Sequence, residues 1–151
     1  MSININSLRI GDIVMRENNH FNGYVYSVVL GVDSISGMIR HKEIYENGGT
    51  QNSITSALSM SPFPLSEAIL KAHGWDYVNG GPLMVRLFDD KLIGIRKSVD
   101  GDGFCPIVFP GCFVDRKVGM VLNCIHGVHE LQALLDAMGC RLRVKPLILE
   151  Q

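Results

Sequence analysis

Tyr24-Val25-Tyr26-Ser27-Val28-Val29-Leu30-Gly31-Val32 is a run of β-branched and aromatic residues standing directly behind Asn22-Gly23. Residues of this kind fit a pleated, half-buried surface, and Asn-Gly is a strong short-range hairpin signal. The run therefore predicts a strand leaving a tight turn. Behind it, Asp33-Ser34 supplies turn chemistry and Met38 to Ile44 predicts the next strand. Ahead of it, LRIGDIVMR (residues 8–16) puts the Gly11-Asp12 turn before another strand, with Ile13 and Met15 on one face and Val14 on the other. Three short strands with polar turns predict a small curled antiparallel sheet over residues 1–45.

The composition then changes. ENGGTQNSITSALSMS, residues 46–61, is rich in Gly, Ser, Thr and Asn and reads as a polar connection leading to an α+β part over residues 62–151. That part opens with a short helix near 65–74: Ser66 is placed as the N-cap, Glu67 falls in the first turn, and Gly74 supplies a left-handed C-terminus with Trp75 behind it. LMVRLF and KLIGIRK, split by Asp89-Asp90, read as a hairpin with Arg86, Lys91 and Arg96 outward. Further strands are expected at PIVF and VGMVLNC, and a last short one from Arg141 to Val144. The clearest helix spans 126–138, where Val128, Leu131, Leu135 and Met138 recur at helical steps and Gly139 ends the pattern. The expected class is α+β, with short antiparallel strands in the majority and two helices.

The chain has 151 residues, 46% of them hydrophobic and 19% charged, with a formal charge of -1. That balance excludes a disordered chain, and its length can enclose a core without metal or disulfide staples. Residues 1–75 carry five Lys/Arg and six Asp/Glu, and residues 76–151 carry nine of each, so neither half is basic. Electrostatics thus gives no case for a nucleic-acid groove or an anionic membrane. The first residues lack a basic segment followed by an apolar one, and no apolar run approaches the roughly 20 residues that span a bilayer. A cytoplasmic location is the expectation. With it goes the expectation that Cys105, Cys112, Cys124 and Cys140 are thiols.

No phosphate-cradling glycine loop and no Gly-x-Ser-x-Gly elbow occurs in the sequence. Asp100-Gly101-Asp102-Gly103 lacks the terminal Glu of a calcium loop, Gly111 standing at the twelfth position, so it reads as an ordinary turn. The cysteines are too widely spaced to seed a zinc site, and no metal or cofactor is expected. Chemistry concentrates instead at His126, His129 and Gln132, three residues apart along one helix flank. An imidazole there can serve as general base or bind a ligand; equally, His129 and Gln132 can bond to backbone and fix the helix on the sheet. Trp75 and Tyr77 are the aromatic residues expected beside a ligand.

Three anchors of the chain resemble a group of small proteins from gut anaerobes that are carried by phages and other mobile elements. They are LRIGDIV (8–14), PFPLSEAILKAHGW (62–75) and VHELQALLDAMGCRLRV (128–144). The group shows an LRIGN-like start, a PIPLTEEWLLKFGF-like helix and a YVHQLQNLYFALTG-like C-terminal helix. His129, Leu131, Gln132, Leu135 and Gly139 match that last motif, whereas Asp12, Gly127 and Ala133 depart from it. The resemblance implies an accessory role in a mobile element and no particular activity. Joined to the absence of a catalytic motif, it leads to the expectation of a non-catalytic protein that binds a host protein or a small ligand such as a nucleotide signal. Since small proteins often build such sites between subunits, a homo-oligomer is expected. The alternatives are a small hydrolase using His126 and His129 with Glu130 or Asp136, and a nucleic-acid-associated factor.

Overall fold

In the computed structural model, residues 3–17, 23–89, 91–114 and 118–140 are described. The reading of residues 24–44 as strand, turn and strand holds. β2 (Tyr24–Asp33) and β3 (Met38–Tyr45) pair antiparallel. Asp33 closes their turn by accepting from the Ile35 and Ser36 N–H groups at 3.0 and 3.4 Å. β1 (Ile13–Arg16) lies on the other side of β2.

The polar stretch 46–61, expected as an unstructured connection, is built largely of strand. It forms β4 (Thr50–Ser56), paired with β3 along its whole length, and then β5 (Met60–Pro62), which pairs with β1. These strands complete a five-stranded sheet of order β4-β3-β2-β1-β5. β4 escapes a hydrophobic pattern because it is an edge strand with largely exposed side chains, and a polar edge resists unwanted pairing.

α1 (Glu67–Ala72) begins as its caps dictate, with the Ser66 hydroxyl accepting from the Ile69 N–H at 3.2 Å. A second five-stranded antiparallel sheet follows, built from β6 (Asp76–Tyr77), β7 (Leu83–Phe88), β8 (Lys91–Lys97), β9 (Phe104–Val108) and β10 (Met120–Val121) in the order β10-β9-β8-β7-β6. α2 (Val128–Ala137) closes the described chain, and the strand expected at 141–144 lies outside the described residues. The fold is α+β. Among the described residues no helix is long and apolar enough to cross a membrane.

One face of each sheet and both helices share a core that includes Ile13, Tyr26, Leu70, Trp75, Ile93, Ile95, Phe104, Leu131 and Leu135. The opposite face of the first sheet buries Val14, Val29, Ile39 and Met60 beneath Ile3 and Leu8. The opposite face of the second gathers Leu83, Leu92, Ile107 and Phe109. Cys105 and Cys124 are joined as a disulfide, so the expectation of four thiols is corrected; Cys140 is a buried thiol. The two bonded cysteines are 19 positions apart but meet where β9 runs beside the segment that leads into α2, a pairing that sequence spacing does not announce.

α2 is fastened to the first sheet by Gln132, whose amide oxygen accepts from the Ile13 N–H at 2.9 Å while its nitrogen donates to the Gly11 carbonyl at 3.1 Å. Arg9 also reaches Asp136 of α2 at 2.8 Å, but both side chains are substantially exposed, and exposed pairs contribute under about 1 kcal/mol. Gln132 is buried, and losing it strands a backbone donor away from water. We expect Gln132→Ala to cost about 1–3 kcal/mol in urea unfolding and Asp136→Ala much less. Equal effects would refute Gln132 as the main polar fastening.

Candidate functional site

The strand-like segment that precedes α2 runs between two partners. Phe104 and Ile125 exchange both backbone bonds, at 2.8 and 2.7 Å. On the other flank the Leu65 N–H donates to the His126 carbonyl and the Val128 N–H to the Phe63 carbonyl, at 2.8 and 2.9 Å. Backbone bonding thereby fixes His126, whose side chain stays outside the core and enters a cleft of about 630 Å³. Ser66 and Glu67 at the start of α1, Lys97 at the end of β8, and Asp102 and Gly103 of the β8–β9 connection share its wall.

Gly103 explains why the imidazole fits. It has φ of 82°, and a Cβ there would lie 2.9 Å from His126 Nε2 and 2.8 Å from the Ile125 carbonyl oxygen. His126 Nε2 stands 3.3 Å from Asp102 Oδ1. The Asp102 loop is held by its own bonds: Asp100 accepts from the Ser98 hydroxyl at 2.6 Å and from the Asp102 N–H at 3.0 Å. Those bonds, the Ser98 hydroxyl first, hold the Asp100 carboxyl below its usual range. Asp100-Gly101-Asp102-Gly103 is thus a self-bonded turn that presents one carboxylate to one imidazole. Both partners are more than half exposed, so their attraction orients the ring and adds little stability.

The residues singled out from sequence separate here. His126 lines the cleft, but His129 is buried beside Asp12 and Gly127, with its Nδ1 lacking a partner. Burial is the main force that lowers the His129 pKa, with Glu130 and Asp12 opposing it. Gln132 is committed to backbone. Trp75 is in the core, edge-on to Phe88 with 5.9 Å between ring centroids, and does not face a ligand. Tyr77 donates its hydroxyl to Glu67, and Lys71 lies 4.9 Å above its ring, so it supports the side of α1 that carries Glu67. Of the five, His126 alone lines this cleft. From sequence, Ser66 reads only as a helix cap, Asp102 only as part of a turn, and Lys97 is not singled out; that they share a wall with His126 depends on sheet pairing and not on spacing.

A second polar cluster lies on one face of the first sheet. His41 is fully buried, with Nδ1 bonded to the Ser27 hydroxyl at 2.9 Å and Nε2 to Thr55 at 2.8 Å. Glu43 is buried two residues on and accepts from Ser53, from the Tyr45 hydroxyl at 2.8 Å and from Arg16 at 3.3 Å. Burial alone would raise the Glu43 pKa, but bonds from Ser53 and Tyr45 and the Arg16 charge outweigh it and bring the group below its usual range. With its bonds spent internally, this cluster ties β1, β2, β3 and β4 together.

Burial pulls the pKa of His41 below the ordinary 6.5, and does the same at His73 and His129. The unfolded chain therefore takes up protons more readily than the folded one. Stability should be full above pH 6.5 and fall as pH drops through it towards the lowered folded values. Urea midpoints on either side of that pH check the slope, and His41→Asn should reduce it; an unchanged slope would refute the assignment. At the cleft, Gly103→Ala should cost about 1–3 kcal/mol from its left-handed backbone and displace the His126 ring resonances in NMR spectra.

Compared with known proteins, the chain matches no family model, no curated protein and no solved structure.

Proposed function

We propose that the chain is a non-catalytic binding protein that takes a small polar ligand of nucleotide size into the His126 cleft. The observation that carries this reading is the cleft itself: about 630 Å³, bordered by Lys97, His126, Asp102 and Ser66. Pockets of roughly 300–1,000 Å³ suit small molecules, and a few convergent polar groups set orientation. Lys97 brings a cationic donor, Asp102 an acceptor, and the His126 ring an edge that can donate or accept. Such a set suits a ligand with both anionic and hydrogen-bonding parts, as a mononucleotide has. The reading agrees with the accessory role in a phage or mobile element that the sequence resemblance implies.

A hydrolase working through paired imidazoles is less well supported, because His126 borders the cleft while His129 is buried in the fold. A single-imidazole variant of that reading keeps one observation in its favour, the 3.3 Å contact between His126 and Asp102. Turnover of a phosphoester that disappears in His126→Ala would favour it.

Calorimetric titration with purine and pyrimidine mononucleotides tests binding. We expect saturable binding, weakened about tenfold or more in Lys97→Ala and in His126→Ala, since a bond to a charged group is worth about 1.5–3 kcal/mol. Binding that ignores both substitutions would place the ligand elsewhere, and no binding would remove the nucleotide reading.

A further inference from the structure

The segment that delivers His126 also carries the disulfide. Cys105 of β9 and Cys124 have Cα atoms 4.1 Å apart. They flank the Phe104 and Ile125 pair, which exchanges both backbone bonds. In an antiparallel ladder the positions beside such a pair face each other without bonds and at closest approach. Cys105 and Cys124 occupy one of these positions, and Gly103 and His126 occupy the other. Side chains two residues apart share a face of a strand. The disulfide and the imidazole are therefore successive rungs on one face, about 7 Å apart along the strand.

The backbone is weakly paired where the disulfide sits. The register runs Met120 to Val108 and Val121 to Ile107, then Ile125 to Phe104. Three residues on one strand thus face two on the other, which is a β-bulge. One of those two is Pro106, which has no N–H to give. Across this gap the Leu122 N–H donates to the Pro106 carbonyl at 2.9 Å. The disulfide sits beside this bulge at a ladder position that carries no backbone bond, and both cysteines are only half-buried.

We propose that Cys105–Cys124 is a reversible thiol–disulfide exchange centre whose state sets the position of His126 in the cleft. The co-reactant is a dithiol. One of its thiolates attacks a disulfide sulfur, the S–S bond breaks, and a mixed disulfide forms as the other cysteine leaves as thiolate. The second thiolate of the dithiol then displaces the remaining cysteine. Two electrons pass to the protein, the dithiol becomes a disulfide, and its two protons end on Cys105 and Cys124. Without the crosslink, the bulged stretch 122–124 loses its covalent hold on β9. The exposed His126 ring, next on the same face, then turns away from Gly103 and Asp102 while the Phe104–Ile125 bonds keep the backbone in place. The exchange chemistry stands independently of the ligand; its effect on binding rests on the reading proposed above.

The test equilibrates the folded protein with mixtures of reduced and oxidised dithiothreitol and of reduced and oxidised glutathione. Thiols are trapped by alkylation and counted by mass spectrometry, while NMR follows the His126 ring and mononucleotide titration follows the cleft. We expect full reversible interconversion without unfolding, with His126 resonances that move with the redox state and His73 resonances that do not. A Cys105→Ser, Cys124→Ser double variant should show the reduced-state His126 signals and ignore the dithiol. If that variant does not fold, the titration of the unaltered protein decides alone. Reduction that requires unfolding would make the bond a structural staple and overturn the proposal, as would reduction that leaves His126 unmoved. Redox-dependent His126 signals without mononucleotide binding in either state would support the exchange centre and remove the ligand reading instead.

Discussion

The backbone of residues 124–128 is the constraint on which the rest of the molecule depends. It runs extended between Phe104 on one side and residues 63–65 on the other, bonded to both. A buried N–H or C=O left without a partner costs about 1–3 kcal/mol, so a chain crossing the interior must find partners on each flank. This segment finds them in the second sheet and in the approach to α1. Its Ile125 and Val128 side chains enter the shared core. Glu130 then accepts from the Gly127 and His126 N–H groups at 3.1 and 3.2 Å, closing the start of α2 although Gly127 has no capping side chain. One stretch thereby sets the position of the last helix, holds both sheets to a common core, and leaves a single imidazole outside it.

The molecule treats its polar clusters in opposite ways. His41 and Glu43 are enclosed, their bonds are met by neighbouring strands, and their protonation is coupled to folding. Breaking such a network strands buried groups, so its effect is on stability. His126 and Asp102 are exposed to solvent in a cleft and contribute little to stability. Groups held in place by backbone, yet not spent on the fold, remain free to bind. The disulfide joins the two worlds, since it lies in the ladder that positions the cleft imidazole.

The legible parts of the fold are those whose signals are local. Ser66, Glu67 and Gly74 mark α1 by capping chemistry, and the Val128, Leu131 and Leu135 stripe marks α2 by its period. The hairpin of β7 and β8 follows from two apolar runs around an aspartate turn, with Asp89 at φ of 50°. β4 was illegible because an edge strand that faces solvent has no apolar alternation to display. The burial of His41 and Glu43 was hidden for a related reason. Arg40-His41-Lys42-Glu43 is polar at every position, so nothing in it tells the inner face from the outer.

By itself the sequence determined the α+β class, the two helices with their ends, and the core-forming character of the chain, because capping, turn chemistry and periodicity act within a few residues. Of the residues it offered for a site, it could name His126, His129 and Gln132 but not tell them apart. Only tertiary structure decided that Gln132 fastens α2 to β1, that His129 and Trp75 are enclosed, and that His126 meets Asp102, Lys97 and Ser66. It also decided that Cys105 and Cys124 are bonded. These outcomes depend on strand register and on which flank of a buried segment needs a partner. Both are settled between residues far apart in the chain, where local pattern carries no information.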